Sequence, residues 1–437
     1  MSAPPSAFNP SLLLTLLFAL ALLLGLALKF WLATRQVRHV ARHRAAVPAA
    51  FAATVSLAAH QKAADYTLAK TRFGLLETAF GAAVLLGWTL LGGLDALNQF
   101  LLQGLGAGMV QQLALIAAFV LIGGLIELPF SLYQTFVIEQ RFGFNKMTLR
   151  LWLADLLKAT VLGALLGLPI AALILWLMGA AGTLWWLWAW GAWMGFNLLL
   201  LLLYPTFIAP LFNKFQPLED ETLKARVTAL MQRCGFSAKG LFVMDGSRRS
   251  AHANAYFTGF GAAKRVVFFD TLLAKLSPGE VDAVLAHELG HFKHRHIIKR
   301  IVSLFALSLA GFALLGWLAQ QAWFYAGLGV TPSLGLLVPA LAAAEPGAND
   351  ALALLLFVLV SPVFSFFIAP LLARLSRQHE FEADAYARQQ TSGADLASAL
   401  LKLYEDNAAT LTPDPLYVAM YYSHPPAAQR LARLGAA

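Results

Sequence analysis

The chain has 437 residues, 59% hydrophobic and only 13% charged, with a mean hydropathy of +0.66 and a formal charge of +9. Apolar residues gathered into long uninterrupted runs exclude an ordinary soluble enzyme and mark a membrane protein. The Lys and Arg excess sits in inter-span segments without interleaved aromatics, which argues against nucleic acid as a partner and for anionic lipid at one membrane face.

Seven stretches are long and apolar enough to cross a bilayer of ~30 Å: about 11–32, 75–94, 108–128, 158–178, 183–204, 301–323 and 351–372. The run at 334–344 is too short. No basic residue precedes the first run, so it reads as a retained span and not as a cleaved signal peptide. The segment before it and the loops at 95–107, 179–182 and 328–350 hold no Lys or Arg. The loop at 33–74 carries Arg35, Arg38, Arg42, Arg44, Lys62, Lys70 and Arg72, that at 129–157 carries Arg141, Lys146 and Arg150, and 205–300 and the tail are also basic. The alternation puts the N-terminus outside and the C-terminus in the cytoplasm. It divides the chain into a five-span N-terminal domain, 1–205, and a second domain, 206–437, with two further spans.

The segment 205–300 has mixed composition. EDETLKARVTALMQRCGF reads as a helix, and GLFVM, HANAYFTG and KRVVFF read as short strands. Its Cys234 is the chain's single cysteine, which excludes an intrachain disulfide and reads as a buried structural thiol. The helix that follows starts at SPGEVDAVLAHELGH, with Ser277 as N-cap, Pro278 in the first turn and Glu280 closing a capping box. It is expected to run about six turns, through the histidines.

His287 and His291 are four residues apart, on one helix face and about 6 Å apart along the axis, so both can reach one ion. Glu288, rotated about 100° from His287, is placed to touch a water on that ion. This H-E-x-x-H arrangement points to zinc-assisted hydrolysis in which Glu288 takes a proton from the attacking water. A third ligand is needed, and Glu380 in SRQHEFEADAYAR is the candidate, since two spans out and back return it to the same face. Asp384, one turn on, suits the distal N–H of a ligand histidine. The bland alternative is a solvated helix face with Arg377 and Arg388 as partners. His294 and His296 read as a cationic helix end near lipid headgroups, beside Lys293, Arg295, Lys299 and Arg300. His424, before two prolines, could hydrogen-bond an oxyanion, and Arg430 could hold that turn or bind a substrate carboxylate. Asn254, Ala255 and Tyr256 lie on a strand that could pair with an extended peptide.

These residues carry a resemblance to the CAAX prenyl protease type 1 family of integral-membrane zinc metallopeptidases. FVIEQRFGFNKMT, PLFNKFQPLED, SRRSAHANAYFTG, KRVVFFDTLL, HELGHFKHRH, SRQHEFEADA and SHPP with Arg430 run in family order from about residue 130 to the end. Phe292 stands where the family often has tryptophan. The resemblance implies His287, His291 and Glu380 as zinc ligands, Glu288 as general base, His424 and Arg430 near the transition state, and Asn254, Ala255 and Tyr256 along the substrate. His296 also matches a family histidine. The implied fold is an all-α polytopic membrane protein, seven transmembrane helices around a water-filled chamber, with a small α+β gluzincin-like metallopeptidase domain at the cytoplasmic face. A chamber would account for Glu127 at span depth; a buried pair with a basic residue is the alternative. The implied partners are the bilayer and a peptide or lipidated protein, prenylated or otherwise hydrophobic. The Ala-, Leu- and Gly-heavy composition points to a bacterial inner membrane. A membrane-protein quality-control protease and a non-enzymatic seven-span transporter or receptor are the other readings.

Overall fold

A computed structural model describes residues 9–236, 240–258, 265–338 and 347–435. The segment before the first span up to residue 8, Gly259, Lys264 and residues 339–344 of the short apolar run lie outside the described residues.

The chain opens with α1, Pro10–His43, started by Asn9, whose side chain accepts from the backbone N–H groups of Ser11 and Leu12. Ser56 caps α2, Leu57–Trp88, in the same way. Most of the expected 33–74 loop is therefore helix: its polar residues extend the two apolar helices beyond the membrane-length run. Arg44 and Asp65 pair across them at 2.6 Å. Between α2 and α3, Gly93–Leu105, the axis bends by 47° at Gly92, whose φ of 77° suits glycine. α4, Met109–Tyr133, continues through a π-helical turn at Gln134–Glu139. α5 is Leu149–Ala180, and α6, Trp185–Leu203, runs through a second π turn into the short α7, Ala209–Phe212.

A four-stranded sheet follows in the order β1-β2-β4-β3. β1, Phe215–Pro217, leads to α8, Glu221–Arg233, capped by Asp220; then come β2, Gly240–Met244, β3, Ala255–Thr258, and β4, Arg265–Phe269. β2 and β4 are parallel and the outer pairs antiparallel, with Ala255 opposite Phe268 and Tyr256 opposite Val267. β3 is thus an edge strand. After α9, Asp270–Leu273, comes α10, Pro278–Lys293, then α11, His296–Leu318, α12, Ala322–Ala326, and α13, Leu334–Leu337. α14, Asp350–Ser365, bends by 69° into α15, Ala369–Gln390. α16, Gly393–Asp406, α17, Pro415–Tyr421, and α18, Ala427–Leu434, complete the chain.

Five segments are long and apolar enough to cross a membrane: Pro10–His43, Met109–Glu139, Leu149–Ala180, Gly182–Phe212 and His296–Leu318. The count reaches seven if α2 with α3, and α14 with α15, each form one span. Leu16, Leu125, Leu165, Leu202 and Val302 stay exposed along these helices, as lipid-facing side chains do. A separate core joins Val227, Val266, Phe268, Leu285, Leu289 and Leu400, packing the sheet, α8, α10 and α16 together, and the thiol of Cys234 is buried within it.

Candidate metal centre and substrate cavity

α10 begins as its sequence indicates. The Ser277 hydroxyl accepts from the Glu280 N–H, and Glu280 accepts from the Ser277 N–H at 2.7 Å. The Glu280 carboxylate also accepts from Ser398 at 2.6 Å and Lys402 at 2.7 Å, tying the helix to α16. The other end departs from expectation. α10 stops at Lys293, Arg295 takes a left-handed conformation (φ 57°, ψ 32°), and α11 starts at His296. The expected six-turn helix is therefore two helices.

α10 packs along α15, and this places His287 and His291 opposite Glu380. The His287 Nε2–Glu380 Oε2 and His291 Nε2–Glu380 Oε1 distances are both 3.4 Å. Two atoms bound at ~2.0–2.1 Å to a tetrahedral zinc stand roughly 3.4 Å apart. The Oε2 atom of Glu380 is buried without a hydrogen-bond partner, with Arg430 Nη1 standing off at 3.7 Å. A buried, unpartnered carboxylate oxygen facing two imidazole nitrogens is the donor set of a cation site, and zinc fits it in ligand type and spacing. Among the described residues, these three form the one His/Cys/Asp/Glu group able to hold a metal.

Each histidine is held from behind. Asp384 Oδ1 accepts from His287 Nδ1 at 2.9 Å and is itself gripped by Arg430, through Nη2 at 2.5 Å and through Nε to Oδ2 at 2.8 Å. Glu380 and Asp384 are buried, so the solvated-face alternative does not hold; Arg377 and Arg388 donate to main-chain carbonyls instead. His291 Nδ1 lies 3.0 Å from His296 Nδ1, and His296 Nε2 lies 2.8 Å from Glu382 Oε2. With His291 Nε2 free of hydrogen for a metal, its Nδ1–H donates to His296, which donates in turn to Glu382. His296 is therefore no exposed cationic helix end: the break at Arg295 folds it back, 4% exposed, against His291, where its ring stacks on His379 at 4.0 Å.

Burial pushes His287 down, but its contacts with Asp384 and Glu380 outweigh this and raise it to about 9. His424 is lowered, first by the protein packed around its ring, although 63% of the side chain is exposed, and then by Arg430 and the neighbouring histidines. Arg430 is raised: burial opposes its charge, and Asp384 overcomes that.

A cavity of about 590 Å³ opens over His287 and Glu380. Glu288, His424, Arg430, Asn254 and Ala255 line it, with Val284, Leu396 and Leu400 on its apolar side. His424 Nε2 stands 3.4 Å from Glu380 Oε1, and its Nδ1 contacts Ser423 Oγ at 2.9 Å. Tyr256 is not among the lining residues. Strand alternation turns it away, toward Phe269 and a small crevice with Pro205 and Pro210. Glu382 and Asn407 were not singled out from sequence; Asn407 sits in no motif, and Glu382 is legible only once His296 is seen to be buried.

Residues 36–214 match the family described as CAAX prenyl protease N-terminal, five membrane helices, and residues 217–437 match peptidase family M48. CAAX prenyl protease 1 of Saccharomyces cerevisiae is 37% identical over 326 residues, covering 71% of this chain and 69% of its own. The chain belongs to the CAAX prenyl protease type 1 family. The Homo sapiens CAAX prenyl protease 1 homolog is 31% identical over 468 residues, covering 96% of this chain and 95% of its own. The crystal structure of S. mikatae Ste24p matches with a TM-score of 0.87 at 28% identity, covering 98% of this chain and all of that one. As a CAAX prenyl protease type 1 relative, the protein is an integral-membrane metallopeptidase, a class that leaves no place for the transporter or receptor reading.

Proposed function

We propose that the protein is a zinc endopeptidase that cuts peptide bonds near the C-terminus of prenylated CAAX-type or other hydrophobic substrates. The observation that carries the metal assignment is the unpartnered Glu380 Oε2 facing His287 Nε2 at 3.4 Å. The names of the relatives support the substrate class. The charge alternation along the chain supports an N-terminus outside, a cytoplasmic site, and seven spans around a chamber; Glu127 on α4 is exposed within electrostatic reach of Glu77 on α2. The division into 1–205 and 206–437 follows the same spans, and composition supports a bacterial inner membrane.

Zinc held by His287, His291 and Glu380 would supply Lewis acidity to the attacking water and the scissile carbonyl. Glu288, on the cavity wall beside His287, accepts the water's proton and returns it to the leaving amine. His424, neutral and accepting from the Ser423 hydroxyl at Nδ1, offers Nε2–H to the oxyanion. Arg430 is engaged by Asp384 and acts by fixing that carboxylate on His287. Edge strand β3 and the residue before it present Ala255 and Asn254 to an extended substrate.

The test compares wild type with Glu288→Ala on a farnesylated CAAX peptide and its unlipidated twin. We expect one zinc per chain in both proteins, chelator-sensitive cleavage in wild type alone, and faster turnover of the lipidated peptide. Full activity in Glu288→Ala would remove the general base. Equal rates on both peptides would favour quality-control proteolysis over prenyl processing.

A further inference from the structure

The segment that leads into β3 is anchored to the membrane half of the chain by contacts outside the catalytic set. A short antiparallel bridge pairs Asn145 with Ser250, the Lys146 N–H donates to the Arg249 carbonyl at 3.1 Å, and the Ala251 N–H donates to the Phe144 carbonyl at 3.0 Å. Two side-chain pairs flank it. Arg249 grips Asp155 of α5 at 2.8 and 3.1 Å and reaches Asn213 at 2.9 Å. His252 Nε2 stands 3.5 Å from Glu139 Oε2, at the end of the π-helical turn that follows α4. Glu139 is fixed in turn by Tyr66 of α2 at 2.6 Å and Gln134 at 3.0 Å, with Lys70 at 3.8 Å. The His252 ring stacks on buried Phe144, centroids 4.3 Å apart.

On its far side His252 meets Asn407, which follows α16. His252 Nδ1 lies 3.1 Å from Asn407 Oδ1, and the same oxygen accepts from the Ala253 N–H at 3.1 Å while Asn407 Nδ2 donates to the Ala253 carbonyl at 3.4 Å. Asn407 thus mimics one rung of a ladder beside residue 253, and Asn254 comes next. The Thr271 hydroxyl also donates to the His252 carbonyl at 3.0 Å. An edge strand four residues long has little pairing of its own to fix its position. The π-helical turn brings Glu139 into reach; such turns often mark sites where a helix is adapted to function.

We propose that this splice, with Glu139 and His252 at its centre, sets the position of β3, so that the membrane half aligns the substrate-pairing edge over the metal centre. Glu139 is not among the cavity-lining residues, whereas His252, Ala253 and Asn407 are. It is a positioning residue that acts through His252 and Asn407 on the main chain at 253–255. The inference rests on the reading of β3 as the strand that receives the substrate.

The experiment uses the full-length protein in detergent or nanodiscs, with the farnesylated peptide, on wild type, Glu139→Gln, Glu139→Ala, Asn407→Ala and the double Ala variant. Zinc content and thermal midpoint are measured for each, and hydrogen exchange is followed across residues 250–256. We expect Glu139→Ala to raise KM about 10-fold with kcat and zinc content held within about twofold. Glu139→Gln keeps its carbonyl as the acceptor for Tyr66 and turns an amide N–H toward His252, whose neutral Nε2 can accept it, and stays close to wild type. The double variant is no worse than the more affected single, since both act through His252. Exchange at 250–256 rises in Glu139→Ala. An unchanged KM with unchanged exchange overturns the inference, as does a double variant whose effect is the product of the two singles. If Glu139→Ala does not fold, Tyr66→Phe, which keeps the ring against Phe144 and removes one of the bonds that fix Glu139, replaces it in the cycle. A wild type that leaves the peptide uncut refutes the proposed function instead, and the exchange measurement then decides the splice alone.

Discussion

Gly290 sets α10 close against the backbone of α15, and adding one methyl group there tests how the two helices define the metal centre. A Cβ at this position would lie 2.9 Å from the Ala383 Cα, 3.1 Å from its carbonyl oxygen and 3.2 Å from the Tyr386 Cβ. Carbon atoms rest comfortably at ~3.5–4.0 Å, so α15 must retreat by roughly 0.6–1.1 Å, because none of these atoms can rotate away. Ala383 is three residues from Glu380, and metal–ligand distances tolerate only about 0.2 Å. Overpacking of this kind costs ~1–3 kcal/mol. Expressed wholly in metal release, that weakens zinc affinity roughly 5- to 150-fold. Competition of purified Gly290→Ala against a zinc chelator measures it. Gly279→Ala, in the first turn of the same helix, is the control, since its Cβ would meet only the flexible Asp395 carboxylate, at 2.9 Å. Wild-type affinity and thermal midpoint in Gly290→Ala would refute the claim that this helix contact sets the ligand spacing.

Asp384→Ala leaves the Arg430 guanidinium buried without its partner, and a broken buried pair typically costs about 3–5 kcal/mol; the thermal midpoint should fall sharply, and less in Asp384→Asn. His296→Phe removes the acceptor behind His291 and should weaken zinc binding about 10- to 100-fold. His296→Asn should recover part of that, and cobalt absorption spectra of the two should differ. Burial pushes Glu280 up, but Lys402, Ser398 and the Ser277 main chain outweigh it, so its carboxyl lies below the usual range. Its contribution is complete above the ordinary glutamate value of about 4.3 and is lost as pH falls through the lower folded value. The thermal midpoint in detergent should therefore drop across that acidic window, and less in Glu280→Gln.

What could be read ahead of the structure was local. The Ser277–Glu280 capping box, the helix carrying Glu380 and the three strands each announce themselves within a few residues, and all are present. Five of the seven expected spans were legible because lipid demands long apolar helices, those at 75–94 and 351–372 falling instead in bent helix pairs; the polar extensions were not, since a solvated helix carries no such demand. The break at Arg295 left no trace because a non-glycine residue in the left-handed region has no sequence signature. That break is what moved His296 from an expected surface position to a buried one. Tyr256 faces away from the cavity because alternation along β3 sends neighbours to opposite sides. The partners Glu139 and His252 stand 113 positions apart and Asn407 a further 155 along, and no periodicity connects such distances.

The joint between α10 and α11 is two residues long, His294 and Arg295, with the latter turned into a compact left-handed bend. A helix that carries two candidate metal ligands is thus bolted almost directly onto a helix long and apolar enough to span a bilayer. So short a coupling fixes the height of the candidate metal centre along the axis of that helix. If the substrate is the lipid-anchored one proposed above, it would be cleaved at a set reach from its greasy anchor, the enzyme then serving as a ruler as much as a blade.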